Sequence, residues 1–353
     1  NYYPQASYKL GIVYFNLNKN QVALETFKDL ISNYPKSIES ENSIEFVRNI
    51  FIEEQKPELF VQFMNDNGKP LSFSEQDSLT YRASMIKYEQ KKYTETMQGL
   101  SSYLLQFPNG KNQIEASNIV AEIAYSQQMY DTAAIYFARV ADQSTNKYAE
   151  RAALLAARLN YFNFKKYEVA EKYFTILNTI ATQQENKVEA LKGLLRCSYK
   201  AEHWEACAKI ATIILNEKTS ATDDILMANM AIYHQNVLKG DTTGAIQSLN
   251  KVIKTNPSAI TAEAHYLLAK LYLDQGNLSV AEKTSFEVIK KQAAYEYWVT
   301  KTYILLGDIY VAQKDSFNAI ATYKSVAENA GIDDLKIEAA NKLKMLVENS
   351  NIK

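Results

Sequence analysis

The chain has few of the residues that break regular structure. It holds only 10 glycines and 6 prolines in 353 residues, too few for tight turns joining many short strands. It has no excess charge of one sign either. Lys plus Arg is 39, Asp plus Glu is 40, and the net charge is −1. Without Lys/Arg blocks this offers no electrostatic footprint for DNA or RNA. No apolar run reaches the roughly 18 residues that would span a bilayer. The three histidines, His203, His234 and His265, stand 31 residues apart, and none has a cysteine or second histidine at metal-ligand spacing. No G-x-S-x-G elbow, phosphate-binding glycine loop, G-x-G-x-x-G or H-E-x-x-H sequence occurs; NGKP at 67–70 lacks the upstream glycine of a phosphate loop. Neither a catalytic set nor a cofactor is expected. No signal peptide opens the chain, and Asn1 is not an initiator methionine. The expectation is a processed or truncated piece whose missing start held any address or lipid anchor, the latter giving peripheral membrane association.

What is present is helix-forming. Ala, Leu, Glu, Lys, Gln and Asn fill the intervals, and the β-branched residues do not alternate, so the chain reads as all-α. A fixed period then organises it. Tyr93, Tyr130, Tyr167 and Trp204 recur every 37 residues, each followed three positions later by a small residue: Thr96, Ala133, Ala170 and Cys207. Extended along the chain, these anchors are Ala23, Phe60, Thr96, Ala133, Ala170, Cys207, Ala245, Ala281 and Ala319, at spacings of 36 to 38 with a mean of 37. One supersecondary unit is stacked about nine times.

The unit is most legible in SYKLGIVYFNLNKNQVALETFKDLISNYPKS. Leu10, Gly11 and Tyr14 share one helical face, a polar turn follows at Asn18 to Asn20, and a second helix carries Ala23, Phe27 and Leu30 until Pro35 stops it. These positions resemble a tetratricopeptide repeat, whose standard length of about 34 residues leaves roughly three extra residues per unit here. Gly11 and Ala23, Ser84 and Thr96, Ala121 and Ala133, and Gly307 and Ala319 are each 12 apart, so small residues should face across each hairpin and let its helices approach. Arg158, Leu195 and Tyr233 break this pattern, predicting splayed or shifted hairpins there. Cys197 and Cys207 fall in the two helices of one hairpin; they read as small buried hydrophobes, with a bridge also open to them.

The resemblance implies a right-handed α-solenoid with three parts. Residues 1–68 hold the first two repeats, continued from a longer array; 75–331 hold repeats three to nine; 332–353 form a capping helix and tail. NDNGKPLSFS at 65–74 is the expected loop or subdomain hinge. In the cap, Leu335, Ile337, Ala340, Leu343 and Leu346 are expected to face the array, since a solenoid must cover its last apolar face.

In tetratricopeptide arrays the first helices build a concave wall. Here that wall should include Tyr81, Met85 and Tyr88; Asn118, Glu122 and Tyr125; Leu155, Leu159 and Phe162; and Lys192, Arg196, Tyr199 and Lys200. Tyr88, Tyr125, Phe162 and Tyr199 are again 37 apart. They form an aromatic ladder that either holds a peptide or partner helix or packs between first helices. Lys192, Arg196 and Lys200, at one-turn spacing, either meet an acidic partner or form a solvated face. The signature L-G-x-x-Y, A-x-x-x-F, Y-P-x-S from Leu10 to Ser37 resembles repeats of bacterial envelope proteins, among them the Tol-Pal-associated periplasmic coordinator and outer-membrane assembly lipoproteins. RNIFIEEQKPELFVQF with SEQDSLTYRAS is similar to long multi-repeat proteins of Bacteroidetes. The resemblance implies a non-catalytic scaffold in the periplasm or cell envelope, binding a protein or peptide partner. A glycan-binding accessory role like that of SusD-type proteins, and an enzyme subunit, are the alternatives.

Overall fold

The computed structural model describes residues 2–217 and 221–350. Every regular element among them is helical. Helices pair in order: α1 (Tyr3–Asn16) with α2 (Asn20–Asn33), α3 (Ile38–Glu53) with α4 (Pro57–Asp66), α5 (Phe73–Glu89) with α6 (Tyr93–Gln106), and α7 (Gln113–Ser126) with α8 (Tyr130–Ala141). The fifth hairpin joins α9 (Ala149–Arg158), extended by a π-helical turn at Leu159–Asn163, to α10 (Tyr167–Ile180). Then follow α11 (Gln184–Lys200) and α12 (Trp204–Asn216), α13 (Thr222–Leu238) and α14 (Thr242–Ile253), α15 (Ala259–Asp274) and α16 (Leu278–Lys291), and α17 (Glu296–Ala312) and α18 (Ser316–Asn329). A last helix, α19 (Asp333–Ser350), packs on α18 and α17. The two helices of a hairpin pack together, as α7 on α8 and α13 on α14 do, and inside each unit successive hairpins pack through neighbouring helices such as α2 on α3 and α14 on α15.

The turn inside each hairpin explains why glycine is so scarce. Asn18, Gln55, Lys91, Gln128, Lys165, Glu202, Gly240, Gly276 and Lys314 all have positive φ, between 56° and 75°. Eight of them close the first helix by the same pair of backbone bonds, such as Gln128 N to Tyr125 O and Met129 N to Ala124 O, the ending that usually calls for glycine; after the π turn Lys166 N reaches one residue further back, to Asn160 O. Only two of the nine are glycine, so seven hairpins hold an ordinary side chain in the left-handed region, at a cost of roughly 1 kcal/mol each.

Packing shows how the hairpins close. The ring of Phe27 takes the space over Gly11, and the ring of Tyr323 takes that over Gly307; a Cβ at either glycine would overlap the ring. The glycines therefore seat an aromatic four residues beyond the expected small partner, while Ala23 and Ala319 are themselves fully buried. Cys197 and Cys207 are buried thiols, and Cys207 Sγ lies 3.6 Å from the Leu195 carbonyl.

By internal packing the chain forms two units, Asn1–Asn186 and Lys187–Lys353. The segment 65–74, read from sequence as a loop or subdomain hinge, lies within the first and is non-helical between Asp66 and Phe73. A single apolar cluster crosses it, holding Phe60, Phe63 and Met64 together with Leu79 and Ala83. Ser72 ends the link as a cap that accepts from Glu75 N while the Glu75 carboxylate accepts from Ser72 N. In the second unit, α19 packs through Leu335, Ala339, Leu343 and Leu346. The expected Ile337 and Ala340 are exposed instead, Ile337 at 59%, because a 3.6-residue period carries the buried stripe from 335 to 339.

The π turn accounts for the irregularity expected at Arg158. The fully buried small residue there is Ala157, one position early. One extra residue is then taken up where Phe164 N bonds to Leu159 O. After it the 37-residue count resumes at Tyr167 and Ala170.

Candidate functional site: the wall of first helices

The tight turn brings the residue ending each first helix against the one starting the second. In the first unit Tyr88 packs on Tyr93 with ring centres 6.3 Å apart, Tyr125 on Tyr130 at 6.0 Å, and Tyr161 on Tyr167 at 5.2 Å. In the second unit Tyr199 meets Trp204 at 5.2 Å, edge to face. The two aromatic series read from the sequence thus meet as a couple at four hairpin turns, with Tyr161 in the place expected of Phe162. Tyr88 is 38% exposed, Tyr93 41% and Tyr125 36%, so the first two couples offer ring surface to solvent. Tyr125 also sets its ring edge-on to buried Phe137 at 6.0 Å.

Phe162 departs from this scheme. The π turn moves the coupling position to Tyr161, leaving Phe162 exposed and packed edge-on against Tyr161 at 4.9 Å. Nothing in the 37-residue count marks Tyr161; its signal is the six-residue gap to Tyr167 where the other couples have five.

The remaining wall positions are more deeply engaged. Tyr81 packs on Tyr103 at 5.6 Å, and burial, followed by the nearby Glu115 charge, pushes its hydroxyl well above the usual tyrosine range. Leu155 and Leu159 are buried in the core and present no surface. Tyr199 is half-buried, and burial raises its pKa too, with Glu263 the next contributor. Burial also pushes Glu263 up, against the pull of Lys200.

Lys192 and Arg196 converge on one carboxylate. Lys192 Nζ is 2.8 Å from Asp224 Oδ2 and Arg196 Nη2 is 3.0 Å from Asp224 Oδ1, with the Asp224 side chain 4% exposed. Asp224 sits in the first turn of α13, one hairpin after the cations. The pattern recurs at one station of the repeat, the residue after the small position of the first helix. Glu122 takes a two-pronged bond from Arg151 at 2.6 and 3.0 Å. In the second unit Asp308 binds Lys342 at 2.7 Å and accepts from Tyr323 at 2.5 Å. At these three places the station joins a hairpin by charge to the helix that follows it, α9, α13 or α19. Sequence reading missed Asp224 and Arg151 because their partners lie 28 and 29 residues away, short of the 37-residue repeat.

Among the described residues no group of three or more His, Cys, Asp or Glu is arranged to hold a metal, and no helix is long and apolar enough to cross a membrane.

Comparison with known proteins finds a family likeness in two stretches of the chain. Residues 5–37 and 239–297 match family models described as tetratricopeptide repeat. No curated protein matches the chain. Solved structures with similar folds include a tetratricopeptide repeat protein from Parabacteroides merdae, at 15% identity over 77% of this chain and 98% of that one, TM-score 0.38. Another is a human IFIT1 dimer with m7Gppp-AAAA, at 15% identity over 97% and 80% of the two chains, TM-score 0.43. A third is the TPR2AB domain of yeast Sti1 in complex with pHSP90, at 13% identity over 77% and 99%, TM-score 0.31. At these values the likenesses carry no ligand over to this chain. Two stretches of the all-helical array, 5–37 and 239–297, therefore match the tetratricopeptide repeat.

Proposed function

We propose that this protein is a non-catalytic scaffold whose first-helix wall binds a peptide or an extended segment of a partner protein. Tetratricopeptide repeats generally mediate protein–protein interaction. The observation that carries the reading here is the repeated, solvent-facing tyrosine couple at the hairpin turns, Tyr88 with Tyr93 and Tyr125 with Tyr130. Tyrosine gives large contact area for little lost side-chain entropy, which suits it to anchor a partner. With Lys192 and Arg196 committed to Asp224, an acidic partner would have to displace an ion pair to reach them, so aromatic contact is the main source of affinity. The resemblance of the Leu10–Ser37 segment to repeats of bacterial envelope proteins supports an envelope setting for the scaffold.

Affinity capture from the native organism, with full-length protein and a Tyr88→Ala/Tyr125→Ala variant, tests this. Both side chains are exposed enough to be removed without opening the core. Loss of the same partner in the variant is expected. An unchanged partner list, or capture of glycans in place of protein, overturns the reading. Cell fractionation tests the envelope setting separately.

A further inference from the structure

A second surface lies within the first unit, between the second helices of the second and third hairpins. It is a cleft of about 480 Å³ with α4 and α6 as walls and α5 as floor. The repeat itself explains the opening. Gly99 stands three residues after the Thr96 anchor, where the next two hairpins place Tyr136 and Tyr173. Tyr136 reaches back across its own gap to the preceding second helix, its hydroxyl 3.3 Å from Ser101 Oγ. Gly99 leaves the equivalent gap empty. It also lets α6 come down on Ser84, since a Cβ there would lie 2.6 Å from Ser84 Oγ.

The walls are polar in a particular way. Gln98, Ser102 and Gln106 line the cleft from α6 at four-residue spacing, and all three are exposed. Among the described residues none of these side chains is engaged in a hydrogen bond. On a helix, four residues advance about 6 Å. An extended peptide repeats its main-chain N–H and C=O on one side every two residues, about 6.6 Å. Amides and hydroxyls at this pitch match the alternating donors and acceptors of a strand laid along α6. The charge is one-sided: Glu58 and Glu95 line the cleft and no Lys or Arg does. Glu95 is held by Lys87 at 3.3 Å, which leaves Glu58 to meet an incoming cation. Val61 and Pro57 supply an apolar wall opposite.

We infer that this cleft binds an extended peptide segment bearing a lysine or arginine, its main chain paired to Gln98, Ser102 and Gln106 and its cation to Glu58. The site uses none of the aromatic couples and stands independently of the first-helix wall.

The test selects displayed random seven-residue peptides on the full-length chain and titrates the recovered peptides by fluorescence polarisation. Peptides enriched in lysine or arginine are expected. Gln98→Ala/Gln106→Ala should weaken them about tenfold or more, and Ser102→Arg should abolish binding by filling and recharging the cleft. Glu58→Gln should weaken lysine peptides while leaving their lysine-to-glutamine analogues unaffected. Tyr88→Ala/Tyr125→Ala should change none of these values; if that variant alone loses the peptides, they bind the first-helix wall and the cleft assignment is wrong. Recovery of no peptide, of acidic peptides only, or of peptides indifferent to the cleft variants overturns it, as does tighter binding of a neutral oligosaccharide. All substituted positions are exposed, and circular dichroism confirms that the variants keep their helix content.

Discussion

The indole of Trp204 lies flat on the imidazole of His234, with ring centres 3.9 Å apart and planes 12° apart. Burial holds the imidazole well below its usual range, at about 4. The folded state therefore disfavours the charged ring. The stabilisation is present in full above the unfolded value of about 6.5 and is lost as pH falls from there toward about 4. Trp204 emission should change with a midpoint near pH 4, and His234→Gln should remove that transition. A wild-type emission profile flat from pH 7 to 3.5 would show that the stack does not govern titration.

Asp224 neutralises two cations from a nearly buried position. Asp224→Asn leaves Lys192 and Arg196 without their carboxylate, but both retain access to water. The cost should fall between that of a surface pair and that of a fully buried one, about 2 kcal/mol. Urea denaturation checks this. A change under 0.5 kcal/mol would mean the two cations are solvated equally well without it.

Gly11→Ala places a methyl against the Phe27 ring, and overpacking of this kind costs roughly 1–3 kcal/mol. Gly11→Ala combined with Phe27→Leu should cost less than the sum of the two single changes, because the smaller side chain frees the space. A double-mutant cycle that comes out additive would deny the contact.

At Gln128 the left-handed backbone makes glycine the better residue for the turn. Gln128→Gly should stabilise by about 0.5 kcal/mol, since the relief of strain exceeds the extra entropy lost on folding. Gln128→Val should destabilise by about 1 kcal/mol or more, a β-branched residue being least suited to positive φ. Thermal melts of the two variants should move in opposite directions.

Acid should also act on Glu150. Burial alone would raise its pKa, but bonds from Asn186 Nδ2, the Thr182 amide and hydroxyl and the Gln183 amide hold it down at about 2. These bonds tie α9 to the link before α11. The stabilisation is present above about 4.3, the unfolded value, and is lost as pH falls toward 2. Glu150→Gln should flatten the melting-temperature decline across that window; an unchanged slope would assign it to other carboxylates.

The hairpins and their count were legible because each needs the same small residue, aromatic and turn at the same place, and Ala23, Ala133, Ala170 and Ala281 repeat the demand. The π turn was not, because a one-residue excess near Arg158 can be absorbed by a looser hairpin or a wider helical turn, and only backbone bonding decides between them. Lys192 and Arg196 looked available for the same kind of reason. Their partner Asp224 belongs to the next hairpin, and contact between hairpins depends on packing that spacing alone does not express. The Gly99 cleft had a visible signal, a missing tyrosine in the column of Tyr136 and Tyr173, but a residue left out of a column says nothing until its neighbours are seen to fill the gap.

The π turn in the fifth hairpin also bears on how such an array changes over generations. A single inserted codon would ordinarily rotate every later side chain off its face. Here the surplus is spent inside five residues, and the next hairpin starts in step. An array with such local slack accepts length changes one residue at a time, so its hairpins can diverge in size while their neighbours keep their own contacts.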